Sequence, residues 1–265
     1  MAEIKLATVL FGATSFNIGN VSDTYRGQVL LEDSSVRQAI IKDLPLIELC
    51  NELLTHSLAK LLGLPVPDCY LGLVRDGALT VAKAPELQAG GHLVFVSVDV
   101  KVPNVTFQLK ETSIDRQKAL LLEISKWVGL GWLYAFDSWV ANVDRHCGNL
   151  LFANPGEVWI IDHGFSFTGP RWKPGDLDPV QTFANRLSEW MTPMLTSGER
   201  ETRRSEAASF EASLKGFRAS GAMANSRVGE LLPKDHLEAL EAFLEKRVTR
   251  ITSETSNALG IPELG

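Results

Sequence analysis

No apolar run in the 265 residues approaches the ~18 that a membrane-spanning helix needs, which argues against membrane insertion. The segment Met1 to Phe11 lacks a basic n-region and a small-residue cleavage site, so a strand is expected there rather than a signal peptide. Cysteine is scarce: Cys50, Cys69 and Cys147 form no Cys-x-x-Cys pair and have no histidines at zinc spacing. That argues against a disulfide framework or a structural zinc site, and for free thiols in a reducing compartment. Positive charge is in deficit, with 26 Lys and Arg against 32 Asp and Glu and a pI near 5.5. A dedicated nucleic-acid binder usually shows the opposite balance, so no direct nucleic-acid binding is expected. Internal repeats and low-complexity tracts are also missing. The absences leave a cytoplasmic globular protein.

What is present suits one large domain or two small lobes around a cleft, with 45% hydrophobic residues to fill a core. Residues 4–11 are strand-like, and a Gly/Ser/Asn-rich stretch follows from Gly12 to Asp23. Tyr25–Glu32 and Val36–Lys42 read as a hairpin about Asp33-Ser34-Ser35. Leu46, Leu49, Leu53, Leu54, Leu58 and Leu61 recur at helical spacing, and Gly63 stops that helix. Tyr70–Val74, Leu79–Ala82 and His92–Val98 are further strand candidates. From about Ser113 the period turns helical, with a break at Gly129 and Gly131. Leu150–Phe152 and Val158–Ile161 are short strands, Phe165 to Pro179 is loop, and residues 180–258 read as helices with an exposed connector from Ser197 to Ser205. The fold class is therefore α+β: a β-rich N-lobe over 1–100 and a helical C-lobe over 101–265.

The sharpest chemistry lies in Asn142-Val143-Asp144-Arg145-His146-Cys147-Gly148-Asn149. Phosphoryl transfer needs a carboxylate to orient the attacking hydroxyl and oxygen ligands for magnesium beside the triphosphate. Asp144 and Asn149, five residues apart and leading into a short apolar strand, supply both from one loop. Asp162 ends the next strand, ahead of Gly164, and can take the metal. Lys42 closes the strand Ala39-Ile40-Ile41-Lys42, where a lysine is costly unless paired. Glu52 on the following helix is the preferred partner and Glu48 its rival. His146 is expected to brace the loop, since magnesium prefers oxygen. Asp137, inside an apolar stretch, is expected to bond the loop's backbone amides, and Trp127, Trp132, Tyr134, Phe136 and Trp139 to form core.

The motif N-x-D-R-H-x-G-N (Asn142 to Asn149), with Ile161-Asp162-His163-Gly164 and the N-E-L … L-G-L-P-V-P passage from Asn51 to Pro67, resembles the HipA-like serine/threonine kinases, in particular compact single-chain ones. The D-R-H-x-G-N and I-D-x-G-F pairing is also similar to phosphatidylinositol 3- and 4-kinases. The resemblance implies a protein-kinase-like two-lobed fold and an ATP- and Mg2+-dependent kinase acting on protein Ser/Thr, as toxin of a toxin–antitoxin or defence system. It implies Lys42 and Glu52 at the nucleotide phosphates, Asp144 as the base-like catalytic residue, Asn149 and Asp162 as metal ligands, and a hinge at Val98-Asp99-Val100 for the adenine. It further implies a protein substrate, an antitoxin or regulatory partner, and self-phosphorylation of Ser15 or Ser22. The alternatives are a lipid or small-molecule kinase and a nucleotide-binding pseudokinase scaffold. Gly12, Gly19 and Gly27 do not follow G-x-G-x-x-G, and no A-P-E-like motif follows Asp162.

Overall fold

The computed structural model describes residues 3–15 and 23–262. Strands come first and helices later, as an α+β chain. The N-terminal part contains β1 (Leu6–Val9), β2 (Thr14–Ser15), β3 (Asp23–Leu31), β4 (Val36–Asp43), α1 (Leu46–Leu61), β5 (Cys69–Val74) and β6 (His92–Val98). Then follow α2 (Val105–Lys110), α3 (Ile114–Ser125), α4 (Leu130–Trp139), the hairpin of β7 (Leu150–Asn154) and β8 (Glu157–Ile160), and α5 (Leu187–Trp190). The chain ends in α6 (Ser197–Ser213), α7 (Ala219–Asn225), α8 (Val228–Leu231), α9 (Lys234–Arg247) and α10 (Ile251–Ala258). Among the described residues no single helix is long and apolar enough to cross a membrane.

The large sheet runs β1-β5-β6-β4-β3-β2, and it closes on itself because β1 also pairs with β3. β1 is parallel to β5 and antiparallel to β3, so its backbone is bonded on both sides. Closure removes the edges that an open sheet would expose. The interior is small and β-branched: Val9, Val29, Ala39, Ile41, Val94 and Val96 form one apolar cluster. Gly72 is required there, because a Cβ would stand 2.5 Å from Val96 Cγ2 and 2.8 Å from Val94 Cγ2. Alternation along β4 then turns Lys42 to the opposite face, toward α1.

That outer face belongs to the second and larger core. Leu71 and Phe95 pack with Leu49, Leu53 and Leu58 of α1, and the cluster continues through α4 into α6, α9 and α10. α1 is therefore buried on nearly every side, including its polar residues Asn51, Glu52, Thr55 and His56. The aromatic set behaves as core: Trp139 is fully buried, meets Phe136, Phe210 and Phe217 edge to face, and donates from Nε1 to Leu244 O.

Several expectations need correction. Leu79–Ala82 is not a strand: the Asp43 carboxylate accepts from the amides of Ala82, Lys83 and Ala84, and this capture holds the segment as an irregular loop across the sheet. Ser197 to Ser205 is not a connector but the first half of α6, started by a capping box in which Thr196 and Glu199 bond each other's backbone amides. Helix does not resume at 180 but at Leu187. The break between α3 and α4 falls at Gly129, while Gly131 lies inside α4, where Glu206 of α6 approaches too closely for a Cβ. Ser15 lies in β2, paired with Tyr25; Gly19 and Ser22 fall outside the described residues.

His56 offers a probe of this packing. Burial, with Lys60 adding to it, pulls its imidazole down to about 3. Between pH 6.5 and about 3 the unfolded chain binds a proton there that the folded chain refuses, so stability falls as pH falls through that window. Urea unfolding of the wild type and of His56→Phe, compared at pH 7 and pH 4.5, is expected to show the smaller acid loss in the variant. Equal losses would mean that His56 takes up its proton in the folded state.

Candidate active site

The centre of the site is a charged triad drawn from three elements. Lys42 Nζ, at the end of β4, lies 2.5 Å from Glu52 Oε1 of α1 and 3.0 Å from Asp162 Oδ1, just after β8. Burial alone would push the lysine down, but Asp162 and Glu52 outweigh it and hold Lys42 protonated, above its ordinary range. Burial likewise opposes the charge on Asp162, and Lys42, Arg145 and His146 overcome it to keep the carboxyl below its usual range. The other oxygen of Glu52, Oε2, accepts the amide of His163 at 2.9 Å. One side chain therefore holds both the lysine and the backbone next to Asp162. Of the two carboxylates proposed for Lys42, Glu52 is the one in contact. Glu48 instead packs against Gly164, where a Cβ would come within 2.8 Å of its Cγ. Burial and the neighbouring Glu52 push Glu48 up to about 7.

Asp162 has φ +62°, a left-handed conformation that a non-glycine residue adopts at a cost of ~1–2 kcal/mol. The strain is held by the segment that follows. Asn51, fully buried on α1, gives its side-chain amide to Gly164 O at 2.7 Å and to Ser166 O and Gly169 O at 3.0 Å. Its Oδ1 accepts Trp172 Nε1 at 2.9 Å. Sequence reading passed over Asn51 as a site residue, although the Asn-Glu pair on one helix was the available signal.

Arg145 organises the other loop. Its guanidinium is fully buried and grips Asp137 through Nε at 2.9 Å and Nη2 at 3.1 Å. Nη1 donates to Ile161 O at 2.6 Å and to Asn149 O at 3.2 Å, and Nη2 also reaches His163 Nδ1 at 3.1 Å. Burial first, then Arg145, pushes the His163 imidazole well below its ordinary value, so it is neutral and accepts at Nδ1. Asp137 therefore bonds the side chains of Arg145 and Asn142, not the loop amides expected of it; a guanidinium satisfies both buried carboxylate oxygens at once.

On this base the loop presents its two motif residues. Asn142 Oδ1 accepts Asp144 N, and Asn149 Nδ2 donates to Asp144 O at 2.8 Å, leaving Asn149 Oδ1 as that side chain's oxygen donor. His146 braces the loop as expected, accepting Gly148 N at Nδ1. The Asp144 carboxylate, partly exposed, pairs with Arg186, a residue that no motif flagged. Among the described residues no three His, Cys, Asp or Glu side chains gather to hold a metal. The oxygen donors available are Asp162 and Asn149, a hard set suited to Mg2+ when phosphate oxygens complete the shell.

The hinge residues lie across the sheet from this cluster. Val98 is opposite Ala39, whereas Lys42 is opposite Phe95, so the Val98 and Lys42 side chains point to different faces. Val98 borders a cavity of about 400 Å3 at the mouth of the closed sheet, with Arg37 and Tyr70. Toward the Lys42 face Val98 can offer only its backbone. Asp99 is held by Arg26 at 3.0 Å, and half-buried Val100 follows.

A family model described as HipA-like kinase matches residues 38–212, well over half of the chain and a span that contains Lys42, Glu52, Asp144, Asn149 and Asp162. No curated protein matches the chain.

Asn51→Ala is expected to release three carbonyls and the Trp172 indole together, at about 2–4 kcal/mol. Amide hydrogen exchange over residues 163–172 should accelerate strongly while the β3–β4 ladder stays protected. Uniform acceleration over both would show that Asn51 supports the fold as a whole and not this segment.

Proposed function

The chain belongs to the HipA-like kinase family, and on that premise we propose that it is an ATP- and Mg2+-dependent protein serine/threonine kinase. In this reading the fold is kinase-like and two-lobed, with residues 1–100 as the nucleotide lobe and 101–265 as the helical lobe. The observation that carries it is the meeting of Lys42 with Glu52 and Asp162 on one side and the Asp144–Asn149 loop on the other. A kinase needs that set: a lysine for the phosphates, a helix glutamate to hold it, oxygen ligands for the metal, and a carboxylate at the acceptor hydroxyl.

The residues divide the work by chemistry. Lys42 binds phosphate oxygens, and Glu52 keeps its ammonium in place. Asp162, kept ionised by Lys42, and Asn149, through Oδ1, would hold Mg2+. When bound, the ion would offset the charge carried by the phosphates. The backbone from Val98 to Val100 receives the adenine. Asp144 orients the acceptor hydroxyl and takes its proton as the hydroxyl oxygen bonds to the γ-phosphorus. The bond from that phosphorus to the bridging oxygen then breaks, and its electron pair leaves on ADP.

A protein acceptor is favoured over a lipid, because the segment after Asp162 carries only Arg171 and Lys173 beside Asp176 and Asp178. A membrane-facing loop would be more basic. With Lys42, Asp144, Asn149 and Asp162 all present, a pseudokinase scaffold is disfavoured. A role as the toxin of a toxin–antitoxin or defence system, controlled by an antitoxin or regulatory protein, rests on family membership alone. Self-phosphorylation at Ser15 or Ser22 rests there too.

Two variants separate the roles. Asp162→Asn is expected to lose Mg-ATP affinity in calorimetric titration and to lose transfer. Asp144→Ala is expected to bind Mg-ATP as the wild type does while transfer of label from radiolabelled ATP into lysate protein drops by about 10²-fold or more. If affinity and transfer fell by the same factor in Asp144→Ala, that residue would be a nucleotide or metal ligand. Normal transfer by Asp162→Asn would overturn the metal assignment.

A further inference from the structure

Arg186 has no place in the motifs above, yet its Nη1 contacts Asp144 Oδ1. Among the described residues no other Lys or Arg forms an ion pair with that carboxylate. Within the loop itself the candidates are otherwise engaged or distant. Arg145 is committed to Asp137, two carbonyls and His163, and His146 Nε2 stands 3.8 Å from Asp144 Oδ2.

The contact does not come from a free surface arginine. Arg186 opens α5, and that single turn is fastened at each end. Asn185 Nδ2 donates to Tyr134 O at 3.1 Å and to Ser138 Oγ at 3.0 Å. Leu187 is fully buried, and its carbonyl accepts the Tyr134 hydroxyl. At the far end, Trp190 Nε1 donates to Arg145 O at 2.9 Å. The segment from Asn185 to Trp190 therefore grips the catalytic loop twice, at the Asp144 side chain and at the Arg145 backbone, while it is itself bolted to α4. A surface ion pair between two mobile side chains would be worth little. Here the guanidinium is delivered by a fixed backbone to one oxygen of a partly exposed carboxylate.

We propose that Arg186 is a positioning residue for phosphoryl transfer, holding Asp144 through Oδ1 so that Oδ2 faces the acceptor hydroxyl. The inference rests on the kinase reading and deepens it by naming a residue outside the motifs. An aspartate fixed at one oxygen is pre-oriented for the other, and misplacing a catalytic group by about 1 Å can cost on the order of 10²-fold in rate. Arg186 pairs with Asp144 and Glu189 and with none of Lys42, Glu52, Asn149 or Asp162, so its removal should leave the nucleotide site alone.

The test compares wild type, Arg186→Ala, Arg186→Lys and Asp144→Ala in transfer of label from radiolabelled ATP into lysate protein, with Mg-ATP affinity and melting temperature measured alongside. Arg186→Ala is expected to lose about 10–100-fold in kcat, with KM for ATP within about threefold and an unchanged melting temperature. Arg186→Lys should recover part of the rate, the ammonium being a point charge on a different stem. Guanidinium chloride at non-denaturing concentration should restore transfer in Arg186→Ala and not in Asp144→Ala. Wild-type rates in Arg186→Ala would overturn the inference and leave the kinase reading standing. So would faster transfer, which would make the pair a restraint that must open. No transfer by the wild type would overturn both.

Discussion

A protonated lysine at the end of a buried strand can persist only where carboxylates meet it, and the arrangement around Lys42 follows from that constraint. Two acids answer it, from opposite directions along the chain. Glu52 comes from the helix packed under the sheet, and Asp162 from the end of the small hairpin more than a hundred residues later. The closed sheet fixes the lysine, since β4 is bonded to β3 and β6 throughout its last turns of register. The burial of α1 fixes the glutamate. Asp162 meets the lysine from a left-handed backbone. Without Lys42, two buried or half-buried acids would face each other at close range, so the three charges define the geometry together.

The second constraint is the Arg145–Asp137 pair. A fully buried ion pair is weak evidence for stability, because desolvation offsets much of the attraction. What it does here is geometric: one planar guanidinium joins α4, the Asp144 loop, the carbonyl before Asp162 and the His163 ring. The loop that carries Asp144 and the strand end that carries Asp162 are thereby referred to a single rigid group. Asn51 performs the matching task behind Asp162, tying the carbonyls of Gly164, Ser166 and Gly169 in the following segment to α1.

Much of this was legible in the sequence because the signals are local. Asp144, Arg145, Gly148 and Asn149 are read within one octapeptide, and the period changes near residue 100 mark where strands give way to helices. The hairpin about Ser34, the helix stopped at Gly63 and five of the six strands near the N-terminus follow from alternation and turn chemistry, while β2 lies in the stretch from Gly12 to Asp23 that carried no strand pattern. The failures come from interactions that no window contains. Asp43 takes the amides of residues 82–84 across forty positions, which turned an alternating apolar stretch into a loop. Asp137 looked like an acceptor for amides because the side chain that claims it lies in the motif itself, read there only as a letter. Arg186 carried no signal at all, since its partner is 42 residues upstream. The capping box at Thr196 and Glu199 was local and readable, and a run of polar residues concealed it.

The distribution of exposure ties these threads together. Asp137 and Glu52, which hold other groups in place, have side chains almost wholly shielded, whereas Asp144 and Asp162 are 26% and 39% accessible. A shielded carboxylate cannot meet a nucleotide, a metal or an acceptor, but it can fix a neighbour without competition from water. An accessible carboxylate can meet them, but alone it would have no fixed direction. Each accessible acid here is consequently matched to a cation that a rigid element supplies, Lys42 from the closed sheet and Arg186 from the fastened turn of α5. The two cations differ in burial as their tasks require. Lys42 lies deep, where three charges set one another. Arg186 is more open than the aspartate it holds. The chain thus separates carboxylates that hold neighbours from carboxylates left accessible, and it does so by burial more than by residue type.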